Sequence, residues 1–105
     1  MSAVEILKKL PDAFIPAAAQ GASCVLQFNL STPAYVTISN GTCEVTQGVA
    51  EHPSIKVTVS DEHFVQLLQG KLNGMMALMT GKLKVDGDRA LARDMLDFFD
   101  PAKLV

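Results

Sequence analysis

Between Cys24 and Val59 the chain alternates apolar and polar residues with a period of two, and the dipeptide Asn40-Gly41 dictates how two of the resulting segments join. Cys24, Leu26, Phe28 and Leu30 alternate with Val25, Gln27 and Asn29, the pattern of a half-buried strand, and Pro33 ends it. Ala34, Val36 and Ile38 alternate with Tyr35, Thr37 and Ser39 and run directly into Asn40-Gly41. Both residues of that pair tolerate the positive φ that a tight hairpin demands, so the chain turns back through Cys43 and Val45. Three strands in an antiparallel meander are expected. After the break at His52-Pro53, Ile55, Val57 and Val59 alternate with Lys56 and Thr58 as a fourth strand.

Elsewhere the period is helical. Ser2 with Glu5 fits a capping box before Val4, Ile6, Leu7 and Leu10, and Pro11 and Pro16 are expected to break or restart that first helix. Ser60 or Asp61 caps a second helix in which Phe64, Leu67, Leu68 and Leu72 share a face. Leu72, Met75, Met76 and Met79 continue at i, i+3, i+4 and i+7 across Gly74, which predicts a short helix turning away, closed by Gly81. Leu83 and Val85, between Lys82, Lys84 and Asp86, form a fifth strand. Asp88 caps a last helix carrying Leu91, Ala92, Met95, Leu96, Phe98 and Phe99 until Asp100-Pro101 stops it. This order predicts an α+β fold, with helices packed on one face of a five-stranded sheet.

At 105 residues the chain is read as one domain, 1–105, with a single core serving folding and function alike. With 49% apolar and 19% charged residues it folds, and a net charge of -2 with scattered lysines argues against nucleic acid, whose phosphates need clustered cations. The first residues are interrupted by Lys8, Lys9, Pro11 and Asp12 before any apolar run reaches signal-peptide length, and no segment approaches the roughly 20 apolar residues of a membrane span. Cys24 and Cys43 read as reduced core thiols, with a single bridge between neighbouring strands as the alternative.

Catalytic and metal motifs fail one by one. The stretch from Gly70 to Asp88, GKLNGMMALMTGKLKVDGD, has Met76 where a phosphate loop needs Gly, and Leu83 where it needs Ser or Thr. Asp86, Asp88 and Asp97 echo a calcium loop, but Leu91 stands where a Gly must turn the chain; a turn plus a helix cap accounts for them. His52 and His63 lack the convergent ligands of a zinc or acid-base site, and no GxSxG elbow is present. No enzyme, no metal and no cofactor is expected. What remains is apolar: Leu72, Met75, Met76 and Met79 read as core by spacing alone, but methionine packs adaptably and the flanking glycines let the segment shift as a unit.

The run IKVTVSDEHFVQLLQGKLNGMMALMTGKLKVDGD, followed by a helix rich in Leu, Met and Phe, resembles the sterol-binding domain of the sterol carrier protein type 2 family. The resemblance is specific over about a third of the chain and rests on element order alone from Ser2 to Val45. It implies a five-stranded, mostly antiparallel sheet and an apolar tunnel between sheet and helices. The tunnel would hold a sterol, fatty acyl chain, phospholipid or isoprenoid without catalysis. By position, Phe64, Leu67, Leu68, Leu72, Met75, Met76, Met79, Met95, Phe98 and Phe99 would line or gate it. Peroxisomal relatives finish in a tripeptide such as Ala-Lys-Leu, whereas Val105 follows Ala102-Lys103-Leu104 here, which points to a cytoplasmic, prokaryotic home and to ligands other than sterol. The expected partners are that hydrophobic small molecule and transiently a membrane surface, with the chain itself a monomer or weak dimer.

A chain of about sixteen carbons at about 0.8 kcal/mol each supplies roughly 13 kcal/mol of gross burial, ample for binding without a charged anchor. A rigid empty pocket of about 400 Å³ would cost on the order of 10 kcal/mol, so the ligand-free chain is expected to be partly collapsed, with Met75, Met76 and Met79 filling the space, or to carry lipid.

Overall fold

The hairpin forms where its dipeptide demands: Asn40 and Gly41 take φ of 51° and 75°. In the computed structural model, which describes residues 2–104, they join β2 (Ala34–Ser39) to β3 (Thr42–Gln47) with Ser39 opposite Thr42. β1 (Cys24–Asn29) lies antiparallel to β2, completing the meander. β4 (Ile55–Val59) pairs with β1 in parallel, and β5 (Leu83–Gly87) pairs antiparallel with β4, so the order is β3-β2-β1-β4-β5. Val105, on which the reading of the C-terminal tripeptide rests, lies outside the described residues.

The register stacks the apolar positions on one face. Leu26 sits beside Val36 and Ile55, Phe28 beside Ala34 and Val57, and Val59 beside Leu83. All of these are buried. Alternation with period two makes this inevitable once the register is set, because every second side chain points the same way. The helices close this face: α1 (Ala3–Ala13) buries Ile6 and Leu10 completely, and Phe64 of α2 (Asp61–Leu68) meets Phe28 with ring centroids 5.2 Å apart.

The opposite face carries one surprise. Gln27, a polar position of the alternating pattern, is 1% exposed. The segment that returns the chain from β3 to β4 crosses over it: the Gln27 side-chain amide donates to the carbonyls of Gly48 and Ala34 at 3.2 and 3.3 Å, and its Oε1 accepts from Ala50 N–H at 2.8 Å. A buried amide with donors and acceptor satisfied costs little, whereas an unsatisfied one would be expensive. Gln27 therefore pins the crossover that makes the β1–β4 pairing parallel.

Three expectations change. The capping box at Ser2 and Glu5 forms, but Pro11 does not break α1, which runs on to Ala13. Pro11 lies within three residues of the end, so it removes only one backbone bond near a terminus that would fray anyway. The last helix is shorter than its apolar pattern: α4 (Arg89–Asp94) gives way to a 3₁₀ turn at Met95–Phe98, and Phe99 is extended. In the observed geometry Phe98 and Phe99 are both buried, and Phe99 bridges Phe14, with Asp100 N–H donating to Ala13 O at 2.8 Å and Ile15 N–H to Phe98 O at 2.7 Å. Pro101 accordingly opens a further 3₁₀ turn, Pro101–Leu104. The alternative disulfide is also excluded. Cys24 and Cys43 both register with Ile38, on opposite sides of β2, so they lie about 9.5 Å apart, beyond the reach of a bridge.

Candidate functional site

The two Gly-Lys-Leu copies are two helix ends of one kind. After α2, Gly70 takes φ 77°, Lys71 N–H donates to Gln66 O at 2.8 Å and Gly70 N–H to Leu67 O at 3.2 Å. After α3 (Gly74–Met79), Gly81 takes φ 79°, Lys82 N–H donates to Ala77 O at 2.9 Å and Gly81 N–H to Leu78 O at 3.4 Å. Each is a Schellman closure, in which a left-handed glycine lets the chain satisfy the last carbonyls and turn sharply. Between them Asn73 caps α3, its Oδ1 accepting from Met75 and Met76 N–H at 2.9 and 3.2 Å. The short helix is thus held at both ends, over β5.

Its inner face consists of Gly74, Ala77 and Leu78. Ala77 is 1% exposed, and a Cβ on Gly74 would come within 2.8 Å of Leu96 Cδ1. Met75, Met76 and Met79 point the other way, 59%, 56% and 76% exposed. This corrects the core reading and the expectation that Met75, Met76 and Met79 fill the interior, which is closed by other residues. The spacing of 72, 75, 76 and 79 is real, but the helix docks through its small residues, which leave no apolar signal, and Leu72 lies outside it in the connecting turn, half-buried.

α3, β5 and α4 enclose a groove of about 650 Å³. Met75, Leu78, Leu83, Val85, Ala92 and Leu96 supply its apolar walls, and Arg89, Arg93 and Asp97 its charged rim. Of the ten residues expected to line or gate a cavity, Met75 alone is on this lining. Phe64, Leu67, Leu68, Met95, Phe98 and Phe99 are brought together instead in the closed core between sheet and helices. The residues missed, Leu78, Leu83, Val85 and Leu96, were visible as apolar positions; what the sequence does not display is that an edge strand and two short helices would leave Leu78, Val85 and Leu96 half covered around a buried Leu83.

A second groove, of about 500 Å³, lies at the other edge of the sheet between α1 and β3, where Leu7, Pro11, Ala34, Cys43 and Val45 face Lys8 and Glu44. Burial pushes the Cys43 thiol up to about 11, so it is protonated at neutral pH and is a poor nucleophile. No group of three or more His, Cys, Asp or Glu among the described residues comes together to hold a metal ion. No helix of the described residues is long and apolar enough to cross a membrane.

The fold and sequence can be set beside known proteins. The chain is 37% identical over 68 residues to the peroxisomal multifunctional enzyme A of Dictyostelium discoideum, covering 64% of this chain and 15% of that protein. It is 56% identical over 34 residues to a fatty acid-binding protein of Yarrowia lipolytica, covering 32% of this chain and 26% of that one. The chain therefore matches only a minor part of the length of these curated relatives. The solution NMR structure of palmitated SCP2L2 from Aedes aegypti superposes with a TM-score of 0.72 at 26% identity, over 92% of this chain and 93% of that one. The family model of the SCP-2 sterol transfer family matches residues 5–100, and the chain belongs to that family.

Proposed function

We propose that this chain is a non-catalytic lipid-binding and lipid-transfer module that holds an apolar chain in the α3–β5–α4 groove. The observation that carries this reading is the groove of about 650 Å³ with its largely apolar walls, which falls within the roughly 300–1,000 Å³ of small-molecule sites. The family supports it, as do a relative named for fatty acid binding and a structural neighbour described as palmitated. Met75, Met76 and Met79 stand outward beside the groove mouth, an adaptable apolar surface suited to brief contact with a membrane while a lipid passes. Opening of α3 would extend the groove inward toward Phe64, Leu67, Leu68, Leu72, Met95, Phe98 and Phe99, making the tunnel that the family resemblance implies. Fatty acyl chains, phospholipid, isoprenoid and sterol are the ligand classes in question, and a cytoplasmic location suits such a carrier.

The closed core favours a second reading, a non-catalytic interaction domain of the same fold with its tunnel filled. Organic extraction of the purified protein, followed by mass spectrometry, tests the first: a copurifying lipid is expected. Met75→Trp separates the two, since a carrier loses lipid uptake when the groove wall is enlarged and an interaction domain does not. Protein that carries no lipid and whose melting temperature ignores fatty acid, sterol and phospholipid alike contradicts the carrier.

A further inference from the structure

Arg89 and Arg93 are four residues apart on α4, and both line the same groove. That spacing brings two guanidinium groups to one side of a helix, where like charges are mutually unfavourable. Their neighbours do little to neutralise them. Arg93 Nε lies 3.8 Å from Asp94 Oδ1 in a pair whose side chains are 73% and 58% exposed, and Arg89 has no ion-pair partner among the described residues. Such an exposed pair contributes little. Asp88 is committed to capping the helix, its Oδ1 accepting from Ala90 and Leu91 N–H at 2.9 and 3.3 Å. Asp97 is the one carboxylate on the lining, so the groove is net positive in a chain whose formal charge is -2. In the α1–β3 groove, by contrast, Lys8 and Glu44 cancel.

We propose that Arg89 and Arg93 are the headgroup end of the groove, selecting single-chain lipids that end in a carboxylate over neutral lipids of the same length. This rests on the reading that the groove takes a lipid chain. Apart from Asn73, which caps α3, and Asp97, the remaining lining is apolar and accepts the alkyl tail, while the planar guanidinium fork matches a carboxylate with paired hydrogen bonds. An anion placed between the two arginines also relieves their mutual repulsion.

Isothermal titration of the delipidated full chain with dodecanoate and with 1-dodecanol tests the assignment, at low and at moderate salt. The native chain is expected to bind dodecanoate at least about tenfold more tightly, and the double variant Arg89→Gln, Arg93→Gln to lose about that factor for dodecanoate while binding dodecanol unchanged. A melting temperature that is unchanged or raised in the double variant separates this loss from unfolding. Equal binding of acid and alcohol by the native chain overturns the proposal, as does a variant that weakens both ligands equally, which would make the arginine stems mere walls. A native chain that binds neither ligand, nor any other lipid offered, overturns the lipid-carrier reading itself.

Discussion

Gly87 shows how much one residue without a side chain can fix. It pairs with Ile55 at the end of β5, takes φ 124°, and a Cβ there would come within 2.8 Å of Ser54 O and 3.1 Å of Ile55 Cα. Both obstacles are backbone, so neither can move aside cheaply, and the φ is one that L side chains rarely adopt. Gly87→Ala is expected to lower stability by at least about 2 kcal/mol, measured as the urea midpoint at unchanged slope; a shift too small to resolve would mean that β5 does not hold this register. Asp61 is a second such position. Its carboxylate accepts from the Ser31 hydroxyl and, at 2.9 Å, from Ser31 N–H, which together hold its pKa below the ordinary aspartate value of 3.8. A depressed folded-state pKa adds stability above the unfolded value, and that contribution disappears as pH falls through the folded one. Ser31→Ala should therefore lower the melting temperature at pH 7, and the difference from the native chain should shrink as Asp61 protonates in both. A difference independent of pH would show that the hydroxyl acts without the carboxylate's charge.

At the scale of elements, the strands and caps were legible because each signal is local. The alternation from Cys24, the Asn40-Gly41 turn and the caps at Ser2, Ser60 and Asp88 all appear where the residues indicate. The groove was less legible because it is built from what short helices leave uncovered. Within the apolar spacing of Leu72, Met75, Met76 and Met79, the three methionines traced the outward face of α3, while the face that docks is written in Gly74 and Ala77, residues with no apolar signature of length. Buried Gln27 was equally hidden, since the path of residues 48–54 covers its side chain and supplies two of its three partners, Ala34 O on β2 being the third. Gly74 also yields a prediction. Its φ is ordinary, and the atom that an added methyl would strike belongs to the flexible end of Leu96, itself a wall of the groove. Gly74→Ala should thus leave the melting temperature within about 5 °C, since the helix gains from Ala what packing loses, yet reduce lipid uptake several-fold. Unaltered uptake would show that the close approach of α3 and α4 does not shape the site.

The whole molecule places its two grooves at the two edges of one sheet and a closed core between them. A radius of gyration of 12.2 Å, against about 13 Å for a domain of this length, leaves no inflated interior. Phe28 and Phe64 fill the centre as a tilted ring pair, and half-buried Phe14 packs against buried Phe99 in a second. A lipid chain therefore meets this fold first at an edge, and the groove beside β5 is the one with adaptable walls and a lining that sets two arginines against one carboxylate. The most direct test is methyl NMR of the delipidated chain titrated with palmitate, reading contacts between ligand and protein methyl groups. The account predicts contacts from the alkyl chain to Leu78, Leu83, Val85 and Leu96. Contacts confined to Leu7 and Val45 at the opposite edge, or none at saturating ligand, would contradict it.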